Sequence, residues 1–303
     1  MIVFMGGGLG NQMFEYAYAR ALQEEHGINI CFNSCELNYH SYEGRKFGLD
    51  KLSVDSNKFS VSNDILKYAI FKLKKKGYLN SKDFKESMDK SGFLDKRGFL
   101  ISLDTYKYYE HVANNKVKYM YGNFQSWKYF EKYDGQICKE LHVIEKQSEQ
   151  NKRLQQQIEK ENSVCVHIRR GDYVNNENWK QLNVCSYAYY LQSMRYIASK
   201  VENPVFYIFS NDSNDIHWIK KNYDFSVFKT KYVDLNNPDY EELRLMYSCK
   251  HFIISNSTFS WWAQHLADNK NKIVIAPSVW NSQENASDIY EKNWKVINIL
   301  EKI

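Results

Sequence analysis

Proline is scarce in this chain, three residues in 303, and glycine numbers only thirteen. So few breakers argue against a β-sandwich or a loop-rich secreted scaffold. The six cysteines (31, 35, 138, 165, 185, 249) form no Cys-x-x-Cys pair. That excludes the usual zinc spacings and suits a reducing compartment, where cysteine acts as a small apolar residue. No apolar run reaches the roughly 18–20 residues needed to span a bilayer. Met1 to Met5 lead straight into glycines, with no basic segment or small-residue cleavage site. The expectation is a cytoplasmic chain, neither secreted nor membrane-anchored. Two missing motifs narrow the chemistry. There is no Asp-x-Asp to hold a divalent metal against a phosphate. There is no Gly-Lys-Ser/Thr, and the turn Gly6-Gly7-Gly8-Leu9-Gly10 fails the dinucleotide fingerprint, because Asn11 and Met13 stand where a third small residue is required.

What the chain does have is aromatic mass. Twenty-four tyrosines and an aromatic content of 16% supply both core and hydrogen-bonding tips. The length suits two α/β domains. Net charge is +5 and uneven, since residues 66–107 hold eleven Lys/Arg against five Asp/Glu. Such a segment is most simply a solvated face. It could also lean on an anionic membrane, although the run Lys72-Leu73-Lys74-Lys75-Lys76 shows no strong amphipathic pattern. Nucleic-acid binding would need a recognition motif, and none accompanies the charge.

Read in order, 1–5 is a strand, 11–26 a helix closed by Gly27, and 28–32 a strand, which makes a βαβ opening. Residues 65–73 look helical, 118–124 strand-like, and 126–141 helical. The polar stretch 145–162 reads as the connection between domains 1–150 and 151–303. Beyond it, strands at 164–168, 205–209, 232–233, 252–255 and 273–276 alternate with helices. That pattern predicts a doubly wound parallel sheet.

Three of these strands end in polar clusters: His167-Ile168-Arg169-Arg170-Gly171-Asp172, Ser210-Asn211-Asp212 and Ser255-Asn256-Ser257-Thr258. In a parallel sheet the ends share one edge, where ligands bind. Side chains alternate along a strand, so Cys165, His167 and Arg169 share a face. Two neighbouring arginines fit a phosphate ester, or else a structural ion pair with Asp172. The third cluster opens a helix, whose N–H groups and dipole favour an anion, although Ser257 equally fits a plain N-cap. A carboxylate such as Asp212 suits the donors of guanine, or the cap of the next helix. At the first glycine turn, Asn11 and Gln12 offer neutral amides to sugar hydroxyls or phosphate. Trp261 and Trp262 could stack on a sugar or base, but the usual burial of Trp puts core first.

Four stretches in order carry a resemblance: Gly7-Gly8-Leu9-Gly10-Asn11-Gln12-Met13-Phe14, His167 to Tyr173, Phe209-Ser210-Asn211-Asp212 with Trp218, and Asn256-Ser257-Thr258-Phe259-Ser260-Trp261-Trp262-Ala263. Together they resemble the bacterial α-1,2-fucosyltransferases of glycosyltransferase family eleven. The resemblance extends to Ile275-Ala276-Pro277-Ser278 and is vague over 35–115. It implies a GT-B-like α/β architecture, two Rossmann-like domains facing a cleft, with GDP-fucose in the C-terminal domain and the acceptor against the N-terminal one. The implied reaction is metal-independent and inverting. It passes L-fucose to the 2-hydroxyl of a terminal galactose on a glycan, lipid-linked acceptors included, in surface glycan or O-antigen synthesis, with no cofactor beyond the donor.

The same resemblance gives His167 and Arg169 the donor, with Arg169 neutralising the diphosphate. It gives Asn256, Ser257, Thr258 and Phe259 the diphosphate and fucose, and Asn211 or Asp212 the guanine. Arg170 joins the donor side, Asn11 sits by the reacting sugar, and Gly10, Gln12 and Glu15 lie on the acceptor side. Asp172 and Glu15 are the candidate bases, with orientation of an arginine as the other role for Asp172. Glu15 replaces the family's usual glutamine, and Leu182-Asn183 replaces its commoner His-Gly, which bears on acceptor choice. The competing readings are a non-catalytic nucleotide-sugar or polysaccharide-binding protein, and a fucosyltransferase of other linkage.

Overall fold

The computed structural model describes residues 1–39, 45–79, 93–94, 98–102, 104–110, 113–175 and 181–299. The chain divides into two compact units. One is Met1–Leu141 with Ser287–Ile289; the other is His142–Ala286 with Tyr290–Ile303.

The first unit holds strands β1 (Ile2–Phe4), β2 (Ile30–Asn33), β3 (Phe59–Ser62), β4 (Phe93–Leu94), β5 (Phe99–Ile101) and β6 (Tyr119–Tyr121). Its helices are α1 (Leu9–His26), α2 (Cys35–Tyr39), α3 (Ile65–Leu79) and α4 (Asp134–Glu140). The sheet runs β3-β2-β1-β6-β5-β4, parallel except for the β4–β5 pair. The βαβ opening is as expected. Gly7 turns the chain at φ 69°, a region an L side chain enters at a cost, and α1 starts two residues later. Gly27 ends α1 at φ 65° and returns its N–H to Gln23 O. The core is aromatic: Phe4, Tyr68, Phe71 and Phe99 pack with Ile101. Arg20 is wholly buried on α1 and grips Glu140 of α4 through Nε and Nη2 at 3.1 and 3.0 Å.

The helix expected over 126–141 is correct only in its last part. Trp127–Tyr129 and Glu131–Tyr133 form separate 3₁₀ turns, and only Asp134–Glu140 is α-helical. The reason is tertiary. Tyr129 is pulled against Tyr18 (ring centroids 4.5 Å apart) and Tyr108 (5.0 Å), which a straight helix entered at Ser126 would have to give up. Residues 287–289 return to this unit, where Asp288 accepts from Lys128 at 2.5 Å and from the Tyr108 N–H at 3.0 Å.

The second unit contains β7 (Ser163–His167), β8 (Val205–Phe209), β9 (Thr230–Tyr232), β10 (His251–Ile253), β11 (Val274–Pro277) and β12 (Lys295–Ile297). Between them run α5 (Glu149–Lys160), α6 (Gly171–Asn175), α7 (Tyr187–Ala198), α8 (Ser213–Asn222), α9 (Asp239–Tyr247) and α10 (Thr258–Leu266). All six strands are parallel, in the order β12-β11-β10-β7-β8-β9. This is the doubly wound sheet the alternation called for. The strand β12 was not foreseen. Polar α5, read as a connection, lies inside this unit, capped by Ser148 and anchored by buried Ile158. Every residue of β7 and β8 is buried, as central parallel strands require. Trp261 and Trp262 are both fully buried, the core role expected of them.

Candidate active site

The three polar strand ends of the second unit do meet. His167, at the end of β7, lies 3.0 Å through Nδ1 from Ser255 Oγ beyond β10. Ser210, beyond β8, donates its hydroxyl to Ile168 O at 2.7 Å. Asn211 Oδ1 accepts the Arg170 N–H at 3.1 Å. A parallel sheet aligns these ends, and the short side chains beyond them tie the loops together.

His167 is buried, and burial together with the nearby Arg169 charge pushes its pKa down to about 3. It is therefore neutral at physiological pH. A group so reluctant to protonate is a poor proton acceptor but a good fixed hydrogen-bonding partner. Its ring lies 6.0 Å from that of Phe259 in the first turn of α10.

The two arginines separate. The Arg169 guanidinium lies 5.3 Å from the centre of the Tyr173 ring. Arg170 turns the other way. Its Nε is 3.2 Å from Asp215 Oδ1, and its guanidinium carbon sits 3.2 Å from the centre of the Trp218 ring. The carboxylate partner expected in sequence was Asp172; the geometry gives Arg170 to Asp215. Asp215 also accepts the Gly171 N–H at 2.9 Å and so pins the glycine turn. Sequence reasoning missed Asp215 and assigned no role to Trp218, which it placed within a resembling stretch. A 45-residue gap between Arg170 and Asp215 leaves no local signal. The side chain of Asp172 lies outside the described residues.

Other expected ligands are committed to the scaffold. Asn256 is buried and donates to Leu182 O at 2.8 Å and Trp280 O at 2.7 Å. Those bonds hold two distant loops, so its Nδ2 is committed to the scaffold. Ser257 is the N-cap of α10, its hydroxyl accepting from the Phe259 N–H at 3.3 Å. Thr258 and Phe259 are half-buried at the helix start. Asp212 caps α8 by accepting the Asp215 N–H at 2.9 Å. Asn211 and Asp212 also border a small cavity with Asp234, Asn236 and Glu242, on the β8–β9 side of the same edge. Burial raises the Glu242 carboxyl to about 8.

In the first unit, Glu15 is buried and receives the Gly6 N–H at 3.1 Å, propping the glycine turn from beneath. Burial drives its carboxyl well above the usual range, with Glu36 adding to the effect. Gln12 is equally engaged, donating to Lys46 O at 2.9 Å and accepting the Gly48 N–H at 3.0 Å. Gly10 is buried in the first turn of α1. Asn11 Oδ1 accepts from Gln125 Nε2 at 3.2 Å, and a Cβ on Gly7 would fall 2.2 Å from Asn11 Nδ2. Gly7 is thus needed for both its φ and its bare α-carbon. Asn11 is not the N-cap of α1; that position is Gly8, which has no side-chain cap.

Two α/β units, the second bringing His167, Arg169 and the start of α10 to the strand-end edge of its sheet, suit a transferase acting on an activated, phosphate-bearing sugar. The sequence profile of glycosyl transferase family 11 matches residues 1–298, and the chain belongs to that family. Among its relatives, an α-1,2-colitosyltransferase of Escherichia coli is 32% identical, with 97% of each chain covered. The Escherichia coli O-antigen biosynthesis glycosyltransferase WbnK is 26% identical over 96% of this chain and 98% of its own. Human galactoside α-(1,2)-fucosyltransferase 1 is 34% identical over 34% of this chain and 28% of its own. The fold is shared with a mutant of Arabidopsis thaliana FUT1 solved in complex with GDP, at a TM-score of 0.50 and 12% identity, covering 92% of this chain and 71% of that one. Among the described residues, no helix is long and apolar enough to cross a membrane.

Proposed function

We propose that this glycosyltransferase is a galactoside α-1,2-fucosyltransferase. It moves L-fucose from GDP-β-L-fucose, with inversion, to the 2-hydroxyl of a terminal galactose on a glycan of the O-antigen type. The supporting observation is the β7–β10 rim, where Arg169, neutral His167 and the start of α10 stand together. Departure of GDP builds negative charge on the β-phosphate while the sugar turns oxocarbenium-like. Arg169 and the positive dipole end of α10 are placed for that charge. His167 contributes a fixed, uncharged hydrogen-bonding face. The rim at Asn211 and Asp212 takes the guanine. The reaction runs without a cofactor or metal.

The linkage is supported by family membership and by relatives whose names specify α-1,2 transfer. One observation favours a second donor: a full-length relative transfers colitose, which is fucose without its 3-hydroxyl. The test is transfer from GDP-fucose and from a colitose donor to β-galactosides, with the product linkage read by NMR. An α-1,2-fucosyl galactoside is expected. Faster transfer of colitose would replace the donor, a different linkage would replace the acceptor position, and GDP binding without transfer would make the chain a binding protein.

A further inference from the structure

Helix α3 is apolar on two opposite sides. Its inner side, Tyr68 and Phe71, is buried in the first unit's aromatic core, with Phe71 stacked 3.9 Å from Phe4. At about 100° per residue, Leu66, Ile70 and Leu73 fall on the side facing away from that core. They are 67, 41 and 73% exposed. Ile65, and Val61 on the edge strand β3, are also exposed, at 55 and 49%. The same rotation puts Lys67 and Lys74 along one flank of the stripe and Lys72 and Lys76 along the other. All four are exposed, and α3 contains no acidic residue. Three of the ammonium groups lie near neighbours. The Lys72 ammonium is 5.4 Å from the Tyr68 ring, Lys74 is 5.8 Å from Tyr119, and Lys67 is 3.3 Å from Asp64. Lys75 points inward, 3.6 Å over Tyr121.

Single exposed apolar residues are ordinary, but three in helical register between two rows of lysine are not. The sequence showed no amphipathic pattern here because two apolar stripes half a turn apart cancel in any one-sided measure. An apolar ridge with cations on both flanks matches a flat anionic surface. The ridge meets the acyl boundary while lysines on either side reach up to phosphates.

We infer that α3 is a membrane-contact surface, lying parallel to an anionic phospholipid bilayer, with Leu66, Ile70 and Leu73 among the acyl chains and Lys67, Lys72, Lys74 and Lys76 on the headgroups. The inference rests on the fold of the first unit and is independent of which sugar is transferred. It gives the enzyme a means of meeting lipid-linked acceptors.

The test is flotation of the full-length protein with vesicles of phosphatidylcholine alone and of phosphatidylcholine containing about a third phosphatidylglycerol. Binding to the anionic vesicles only, weakened by salt, is expected. Each lysine should be worth about fivefold in partitioning. The Lys67→Gln/Lys72→Gln/Lys74→Gln/Lys76→Gln variant should therefore bind at least about a hundredfold more weakly. The Leu66→Gln/Leu73→Gln variant should lose anionic-vesicle binding while keeping its circular dichroism spectrum and its transfer rate on a water-soluble acceptor. Equal binding to neutral vesicles, undiminished binding by either variant, or a dimer that Leu66→Gln/Leu73→Gln disperses without any vesicle binding would overturn the inference. Vesicle binding without sugar transfer would instead overturn the functional reading and leave this one standing.

Discussion

Replacing Arg169 and Arg170 with alanine, one at a time, should break two different properties. Arg169 stands at the strand-end rim beside His167 and Tyr173, where donor phosphate charge would grow. Losing one such donor costs about 10²–10³ in kcat. Its removal should therefore be read in the rate, and Arg170→Ala in the melt, because the Arg170–Asp215 pair is what that second change breaks. The Arg170 guanidinium and the Asp215 carboxylate are each 15% exposed, and the Trp218 ring covers the arginine. Arg170→Ala leaves Asp215 with the Gly171 N–H but without a counter-charge. For a partly buried pair that is about 1–3 kcal/mol of stability, or a fall in Tm of roughly 2–10 °C in a unit of this size. The assays are kcat at saturating donor and a thermal melt of each variant. A near-normal rate in Arg169→Ala would remove its assignment. A loss as large in Arg170→Ala, with an unshifted melt, would show that both arginines face the donor.

Asn256→Ala should cost roughly 2–4 kcal/mol, because the Leu182 and Trp280 carbonyls both lose a buried donor. A urea midpoint equal to wild type would refute the structural role. For Glu242 the sign follows from its pKa, raised from 4.5 to about 8 by burial. The folded state keeps a proton that the unfolded state releases, so this group makes stability fall as pH rises from about 4.5 to about 8, by up to about 1.4 kcal/mol per unit. Glu242→Gln should flatten that dependence between pH 5 and 8, and an unchanged slope in urea unfolding would contradict it. Transfer should continue undiminished in EDTA, and a need for manganese would count against a site built on arginine and helix-start donors.

The second unit was largely legible because its signals are local. Val164, Cys165 and Val166 announce a buried strand, and a parallel sheet then forces His167, Ser210 and Ser255 to one edge. What escaped is non-local. Asn256 looks like a sugar ligand in sequence, and only its partners 74 and 24 residues away reveal a brace. Arg170 and Asp215 are equally remote. Ser257 and Asp212 each had two readings, and the cap geometry is present for both. In the first unit, the 3₁₀ turns after Ser126 arise from aromatic contacts with Tyr18 and Tyr108, which no periodicity encodes. The Glu15 side chain beneath Gly6 was legible only as a residue out of place.

Asp288 also bears on how the chain is made. Lys128 and the Tyr108 amide find their carboxylate only when residue 288 of 303 has been synthesised. At about 5–20 residues per second, a ribosome that has finished residue 141 works for roughly another 7–30 s before supplying it. The amino-terminal half therefore waits, incompletely fastened, through about half of translation. A nascent chain stalled before this point should be more open to protease around Tyr108 than the finished protein.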